Sequence, residues 1–342
     1  MRTTIFGCFL TVFGLPAPGQ PAAQTSQEQV FHFARAQSAQ SAAEIATSIR
    51  TIAETSVKAS DDNPPSLTVR GTSEQVALAN WLFVELDQPA GPPPNAATRE
   101  YKLSGSGENV VRVYYVTNAE TVQQFQEIAT AIRTVADIRR LSTYNGTRAL
   151  IARGTPDQVA LTEWLLPLMD TPLGPPVQHS ISRQETIPDP MGEGVTQVFH
   201  AGNAPAVKDF QELATTIRTI TQVRRVFTYN AGRAMVVRGL ASQLAMATWL
   251  FNELDQPGGA KTTVQGTSAR EYRAAGNDDV VRVFYFTHLG NVQDIQNVVA
   301  QIRASTSVQR AFGYGSRMGL VLRGTAAQMA SAELLVQELD KP

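Results

Sequence analysis

The sequence predicts an α+β chain of four tandem modules, each ordered strand, helix, strand, strand, helix, joined by Pro/Gly-rich linkers. Three observations carry that expectation. The stretch VRGTSEQVALANWLFVELDQP, closing at Pro89, recurs as ARGTPDQVALTEWLLPLMDTP, VRGLASQLAMATWLFNELDQP and LRGTAAQMASAELLVQELDKP. Gly71, Gly154, Gly239 and Gly324 stand 83, 85 and 85 residues apart. The same offsets align Arg50, Arg133, Arg218 and Arg303, then Asp87, Asp170, Asp255 and Asp340, with no gap required between them. The composition turns to proline and glycine between copies, as QPAGPPPNAA over 88–97, TPLGPP over 171–176 and QPGGA over 256–260. A fixed period takes precedence over every other pattern, because each repeat is one unit that buries its core against its neighbours. The modules are expected over 28–88, 98–170, 178–255 and 268–341.

The second copy shows the elements most clearly. Val111 to Val116 is β-branched and aromatic, the composition of a strand. Thr117-Asn118-Ala119-Glu120 offers a capping-box start for a helix. Val122, Phe125, Ile128, Ala129, Ile132 and Val135 follow at helical spacing on one face. Arg133 falls in the last turn, where a cation meets the negative end of the helix dipole. Arg140 to Thr143 and Ala149 to Arg153 read as two strands around the turn Tyr144-Asn145-Gly146. A last helix runs from Pro156 to Met169; in the first copy its buried stripe is Val76, Ala79, Leu82, Phe83 and Leu86. A three-stranded sheet with both helices on one face satisfies this pattern. If the first two strands are parallel neighbours, their crossover is right-handed. Arg99 to Leu103 and Arg270 to Ala274 are each expected to add a short strand ahead of the next module. Modules one and three share Val-Phe-His, and modules two and four share Arg-Glu-Tyr and Val-Arg-Val, so the array reads as a duplicated pair.

The N-terminal residues 1–24 have a different character: a basic start at Met1-Arg2, an apolar run from Ile5 to Leu15, then small residues and prolines. That layout is a secretory signal, too short to span a membrane, with cleavage after Gly19, Ala22 or Ala23. The single cysteine, Cys8, lies inside it, so the mature chain is expected to lack thiol chemistry. No other run has the length of a membrane-spanning helix. A periplasmic or otherwise extracytoplasmic location follows. The net charge of −1 argues against a nucleic-acid partner. Five lysines against 24 arginines suit planar contacts at interfaces, or simply a GC-rich genome.

Trp81, Trp164 and Trp249 share one slot in the last helix, with Leu334 there in the fourth copy. At 100° per residue Trp81 lies about 140° from Val76. These four residues are therefore candidates for contact between modules or with a partner; the competing reading lays the ring over the flank of its own sheet. The consensus strand–VRGTxxQ–helix–LD, behind a strand and a helix, resembles the N-domains of secretins over about 30–87, 113–170, 198–255 and 283–340. That resemblance implies KH-like βαββα ring-building motifs of the periplasm that dock helix to sheet and carry no catalytic residues. It also implies a link to protein secretion or type IV pili, with protein partners or self-association. The flank bearing Trp81, Trp164 and Trp249 would then make such contacts. Departing from that family, nothing after Asp340 can be its β-rich channel domain and no stretch alternates like a membrane barrel, so the chain is expected to keep only the assembly modules.

Chemistry is not signalled elsewhere. His32 and His200 occupy a strand slot held by Tyr115 and Tyr285 in the other copies, which marks a half-buried strand rather than a metal ligand. The Asp series sits at helix stops, and Arg70 and Asp87, about 18 Å apart along a helix, cannot meet within one module. Ser104 to Gly107 lacks the Lys-Ser/Thr of a phosphate loop, and Gly313-Tyr314-Gly315-Ser316 is a turn. No enzyme, cofactor or metal is expected, because residues copied into every module serve the module. Two other readings are binding of peptidoglycan or glycan by exposed sheet faces, and KH- or RRM-like nucleic-acid binding through Tyr114 and Tyr115. The latter is opposed by the charge and the missing GxxG loop.

Overall fold

The computed structural model describes residues 26–34, 38–60, 65–93, 97–172, 187–188, 194–204, 206–256, 271–273 and 279–341. The signal expected over 1–24, with Cys8, lies outside them, as does most of the second and third linkers. The first module comprises β1 (Gln27–His32), α1 (Ala39–Ala53), β2 (Ser56–Ser60), β3 (Ser66–Gly71) and α2 (Ser73–Leu86). The second has β4 (Arg99–Lys102), β5 (Val110–Tyr115), α3 (Val122–Val135), β6 (Arg140–Tyr144), β7 (Ala149–Gly154) and α4 (Pro156–Met169). The third has β8 (Ile187–Pro188), β9 (Gly194–His200), α5 (Val207–Thr221), β10 (Arg225–Tyr229), β11 (Ala234–Leu240) and α6 (Ala241–Leu254). The fourth has β12 (Glu271–Arg273), β13 (Asp279–Tyr285), α7 (Val292–Thr306), β14 (Arg310–Tyr314), β15 (Gly319–Thr325) and α8 (Ala326–Leu339).

Each module is therefore a βαββα unit, and its last strand lies in the middle. The first sheet runs β1-β3-β2, and the others run β4-β5-β7-β6, β8-β9-β11-β10 and β12-β13-β15-β14. All pairings are antiparallel, so the first two strands of a module are not neighbours, and the simple parallel crossover gives way to one that leaves a gap for the third strand. The added strands at Arg99 and Glu271 widen two sheets at one edge, and Ile187–Pro188 does the same in the third module.

The strand register also corrects the gapless alignment. Arg133, Arg218 and Arg303 donate to the carbonyls of Leu141, Val226 and Ala311, eight residues on, but Arg50 reaches Val57, seven residues on. Module one is one residue shorter than the others between α1 and β2, and one residue longer between β2 and β3, where five residues (61–65) stand against the four of 145–148. The arginine thus does more than meet the helix dipole: it ties the first helix to its edge strand.

The helix starts explain the VRGTxxQ motif. Thr72, Thr155 and Thr325 are N-caps, each accepting from the backbone of the Gln three residues on, whose side chain accepts the cap's own N–H. The same Gln75, Gln158 and Gln328 donate to the carbonyls of Glu54, Asp137 and Ser307 at the C-terminus of the first helix. The glutamine folds over the preceding glycine, and a Cβ at Gly71, Gly154, Gly239 or Gly324 would lie 2.6–2.9 Å from its Oε1. The motif is a clasp between the two helices. In the second module's first helix, by contrast, the cap is Thr121 with Gln124, not the Thr117–Glu120 box.

Candidate interaction surfaces

The sheets of modules two, three and four are buried on both faces. On β7 the alternation sends Leu150 and Ala152 into the module's own core, with Tyr114 and Val116. Val111, Val113, Tyr115, Tyr144, Ala149 and Ile151 point the other way and join the core of module one. Val198, Tyr229, Ala234 and Val236 join module two in the same manner, and Val281, Val283, Tyr285, Tyr314 and Val321 join module three. The helices making these contacts are α1 against β6, α3 against β10 and α5 against β14.

Polar clamps repeat with the docking. Glu44 Oε2 accepts the N–H of Asn145 at 3.0 Å, Glu127 that of Asn230 at 3.1 Å, and Glu212 that of Gly315 at 2.6 Å. The Arg of the VRG motif reaches back to the end of the preceding first helix. Arg153 donates to the carbonyl of Ile52 at 2.9 Å, Arg323 to that of Ile220 at 2.9 Å, and Arg238 to that of Val135. Each guanidinium therefore satisfies a carbonyl that a helix C-terminus leaves open. Tyr115 and Tyr285 donate to the backbone carbonyls of Glu85 and Glu253 at the end of the preceding second helix, and His200 Nε2 lies 2.8 Å from the Leu168 carbonyl in the equivalent place. The Tyr/His slot is an inter-module contact in three modules, and in module one His32 is exposed. Among the described residues no His/Cys/Asp/Glu group is arranged to hold a metal.

The four candidate residues on the last helices fall into two environments. Trp81 packs on Tyr101 of the next module's added strand, ring centres 5.4 Å apart, and Trp249 packs on Tyr272 at 5.7 Å. Trp164 is half-buried against the core shared by modules two and three. Leu334 is 70% exposed. The structure thus brings Trp81 and Trp249 to module boundaries and leaves Leu334 on an open flank.

The repeated aspartates prove to be loop clamps within a module. Asp170 accepts the backbone N–H groups of Thr117 and Asn118 at 2.6 and 2.8 Å, and Asp255 those of Gly202 and Asn203 at 2.9 and 3.0 Å. Asp340 does the same for Thr287 and His288, and Asp87 accepts from Ala34. Burial pushes the Asp255 carboxyl up, against the opposing pull of those two N–H groups. Arg70 and Asp87 do not pair: Arg70 lies 3.8 Å from Glu28.

A second polar cluster sits at the added strand. Arg112 pairs with Glu100 and Glu163, and Arg282 with Glu271 and Glu333. The hydrogen bond from Arg112 holds the Glu100 carboxyl below its ordinary value. Next to it is an open cleft of about 290 Å³ lined by Glu100, Lys102, Asn109, Val110, Arg112, Pro156 and Val159. Its charges are already paired with each other. Sequence reasoning missed the glutamate clamps, although an acid six residues before the helical Arg in three copies, with Asn297 in the fourth, was the available signal.

No protein-family model matches the chain, and no curated protein matches it. Solved structures similar to it are secretins and their N-terminal domains. The N-terminal domain of the secretin XcpQ from Pseudomonas aeruginosa is 17% identical, covering 43% of this chain and 62% of that one, with a TM-score of 0.18. The structure of XcpQN012 is 11% identical, covers 72% of this chain and 99% of that one, and has a TM-score of 0.22. Aeromonas hydrophila ExeD is 12% identical, covers 88% of this chain and 59% of that one, and has a TM-score of 0.16. The chain thus spans less than two thirds of the XcpQ domain and of ExeD. Scores of that size add nothing to the architecture, which stands on the strand orders and docking contacts described above. Among the described residues no helix is long and apolar enough to cross a membrane.

Proposed function

We propose that the chain is a non-enzymatic scaffold or assembly protein of the cell envelope, acting outside the cytoplasm through secretin N-domain-like modules that bind protein partners. One observation carries this reading: the recurring polar residues end on backbone groups of their own or the adjacent module. Glu44, Glu127, Glu212, Arg153, Arg238 and Arg323 are spent on docking, and the Asp series on loop closure. Side chains so committed support structure and not bond-making. One solved structure similar to the chain is described as a pilotin–secretin complex, AspS–GspD, and another as a type II secretion system secretin. By analogy the partner belongs to a secretion or pilus apparatus. The flank with Leu334, which nothing described covers, is the surface assigned to it, with Trp81, Trp164 and Trp249 holding the equivalent flanks along the array.

The test is in-cell cross-linking from a photoreactive residue at position 334, at native expression, with fractionation of the source cell. Recovery outside the cytoplasm with cross-links to an envelope assembly is the expected result. A cytoplasmic chain that retains RNA in a salt-sensitive way would overturn it, and specific retention on cell wall would favour the glycan reading.

A further inference from the structure

The docking that joins the modules uses one helix surface and one sheet surface, so among the described residues the four modules leave one of each uncovered. At both, the side chains differ from those used inside the stack. On the helix side, Ser48, Ala131 and Thr216 are fully buried against the next sheet, and their counterpart on α7 is the exposed Gln301. Ile52, Val135 and Ile220 are likewise fully buried, and their counterpart is the exposed Ser305. The clamping glutamate is replaced by Asn297. The bulk and polarity of Gln301 and Ser305 would have to be desolvated by any sheet that docked there, with no partner group supplied.

The sheet side changes in the same sense. Lys58 stands where Ser142, Phe227 and Phe312 stand, and Ser60 where Tyr144, Tyr229 and Tyr314 stand. Thr68 replaces Ile151, Val236 and Val321, and Glu28 replaces Val111, Thr196 and Val281. Val30 keeps its apolar side chain and is 46% exposed. A lysine on an edge strand is a recognised guard against further pairing, and polar outer faces are what terminal units of a repeat array require.

We propose that these substitutions cap the array: the helix face of α7 and the sheet face of module one are built to refuse another module, so the stack stops at four and the chain does not polymerise through its own docking interface. This inference stands on the side chains at the two faces and is independent of the cellular role. It sets this chain apart from an open-ended ring subunit, and directs any partner to the flanks of the stack.

Two half-variants of the full chain test it. One carries Asn297→Glu, Gln301→Thr and Ser305→Ile, giving α7 the residues of α5. The other carries Lys58→Phe, Ser60→Tyr and Thr68→Val, giving β2 and β3 those of β10 and β11. Sedimentation of the parent and of each half alone should give a single chain, and mixing the halves should give a one-to-one complex. The converse variant, Thr216→Gln with Ile220→Ser, places the cap inside the stack. Amides of β14 and β15 should then exchange about tenfold faster, with module one unchanged. The proposal falls if folded halves do not bind each other, if the parent self-associates and Gln301→Arg abolishes that association, or if the internal cap leaves module four's protection as it was.

Discussion

Replacing Ile151 by alanine tests whether the outer sheet faces are docking surfaces. Ile151 lies on β7 facing away from α3 and α4, and is fully buried only because α1 of the preceding module covers it. Truncation removes three carbons from a site walled by two modules, which cannot collapse without separating them. Buried isoleucine-to-alanine changes cost about 2–5 kcal/mol, and the middle of that range, about 3 kcal/mol, is expected here. Thr68 occupies the same register on β3, opposite Val30 as Ile151 is opposite Val113, but is only half-buried, with no described module over it. Thr68→Ala should therefore cost no more than about 0.5 kcal/mol. Urea unfolding followed by far-UV circular dichroism reads both, provided the slope is unchanged. With roughly nearest-neighbour coupling, the Ile151 variant should also release module one as a separate early transition. Equal costs at the two positions, or an Ile151→Ala cost below about 0.5 kcal/mol, would refute the docking argument.

Gly154→Ala should destabilise by about 1–2 kcal/mol, because the new Cβ meets Gln158 Oε1 at 2.8 Å and opens the clasp to Asp137, read as faster exchange at the start of α4. Leu240→Thr should stabilise by about 0.5–1 kcal/mol, since Leu240 alone among the equivalent caps of α2, α4, α6 and α8 has no side-chain acceptor for α6; a thermal melt that does not rise would count against the cap assignment. Asp170→Ala should cost about 1–3 kcal/mol and expose the Thr117 and Asn118 amides to exchange. Glu100 has its folded value held below the ordinary 4.5 by Arg112, so its contribution is full above 4.5 and is lost as pH falls through the folded value. Glu100→Gln should abolish that acid-side loss while lowering stability at neutral pH, as measured by urea midpoints across the series.

The period, the helix limits of α4 and the added strands at Arg99 and Glu271 were legible because they depend on local chemistry: stripes, caps and β-branched runs. The strand order was not, because hydrophobic patterning records which face a residue takes but not which strand it pairs with. Burial on both faces was written in Val110 to Val116, whose apolar letters hardly alternate, as expected for a strand covered on both sides. The single-residue shift in module one was invisible because it is undone within one hairpin, leaving both flanking motifs in phase. Among the candidate residues, the Tyr101 and Tyr272 rings that Trp81 and Trp249 meet come from strands beyond a Pro/Gly-rich linker, and no helical-wheel argument spans that distance.

The charge clusters divide the four modules into two kinds. Arg112 with Glu100 and Glu163, and Arg282 with Glu271 and Glu333, are the same three-residue arrangement in modules two and four. In module three the equivalent positions hold Gln197 and Thr248, joined by a neutral hydrogen bond of 3.1 Å, and in module one Gln29 and Asn80. Removing the arginine of such a triad alone strands a part-buried carboxylate, whereas a neutral pair at the same place carries no such cost. Modules one and two thus present one neutral–charged pair and modules three and four a second, the alternation that the shared Val-Phe-His and Arg-Glu-Tyr segments also follow.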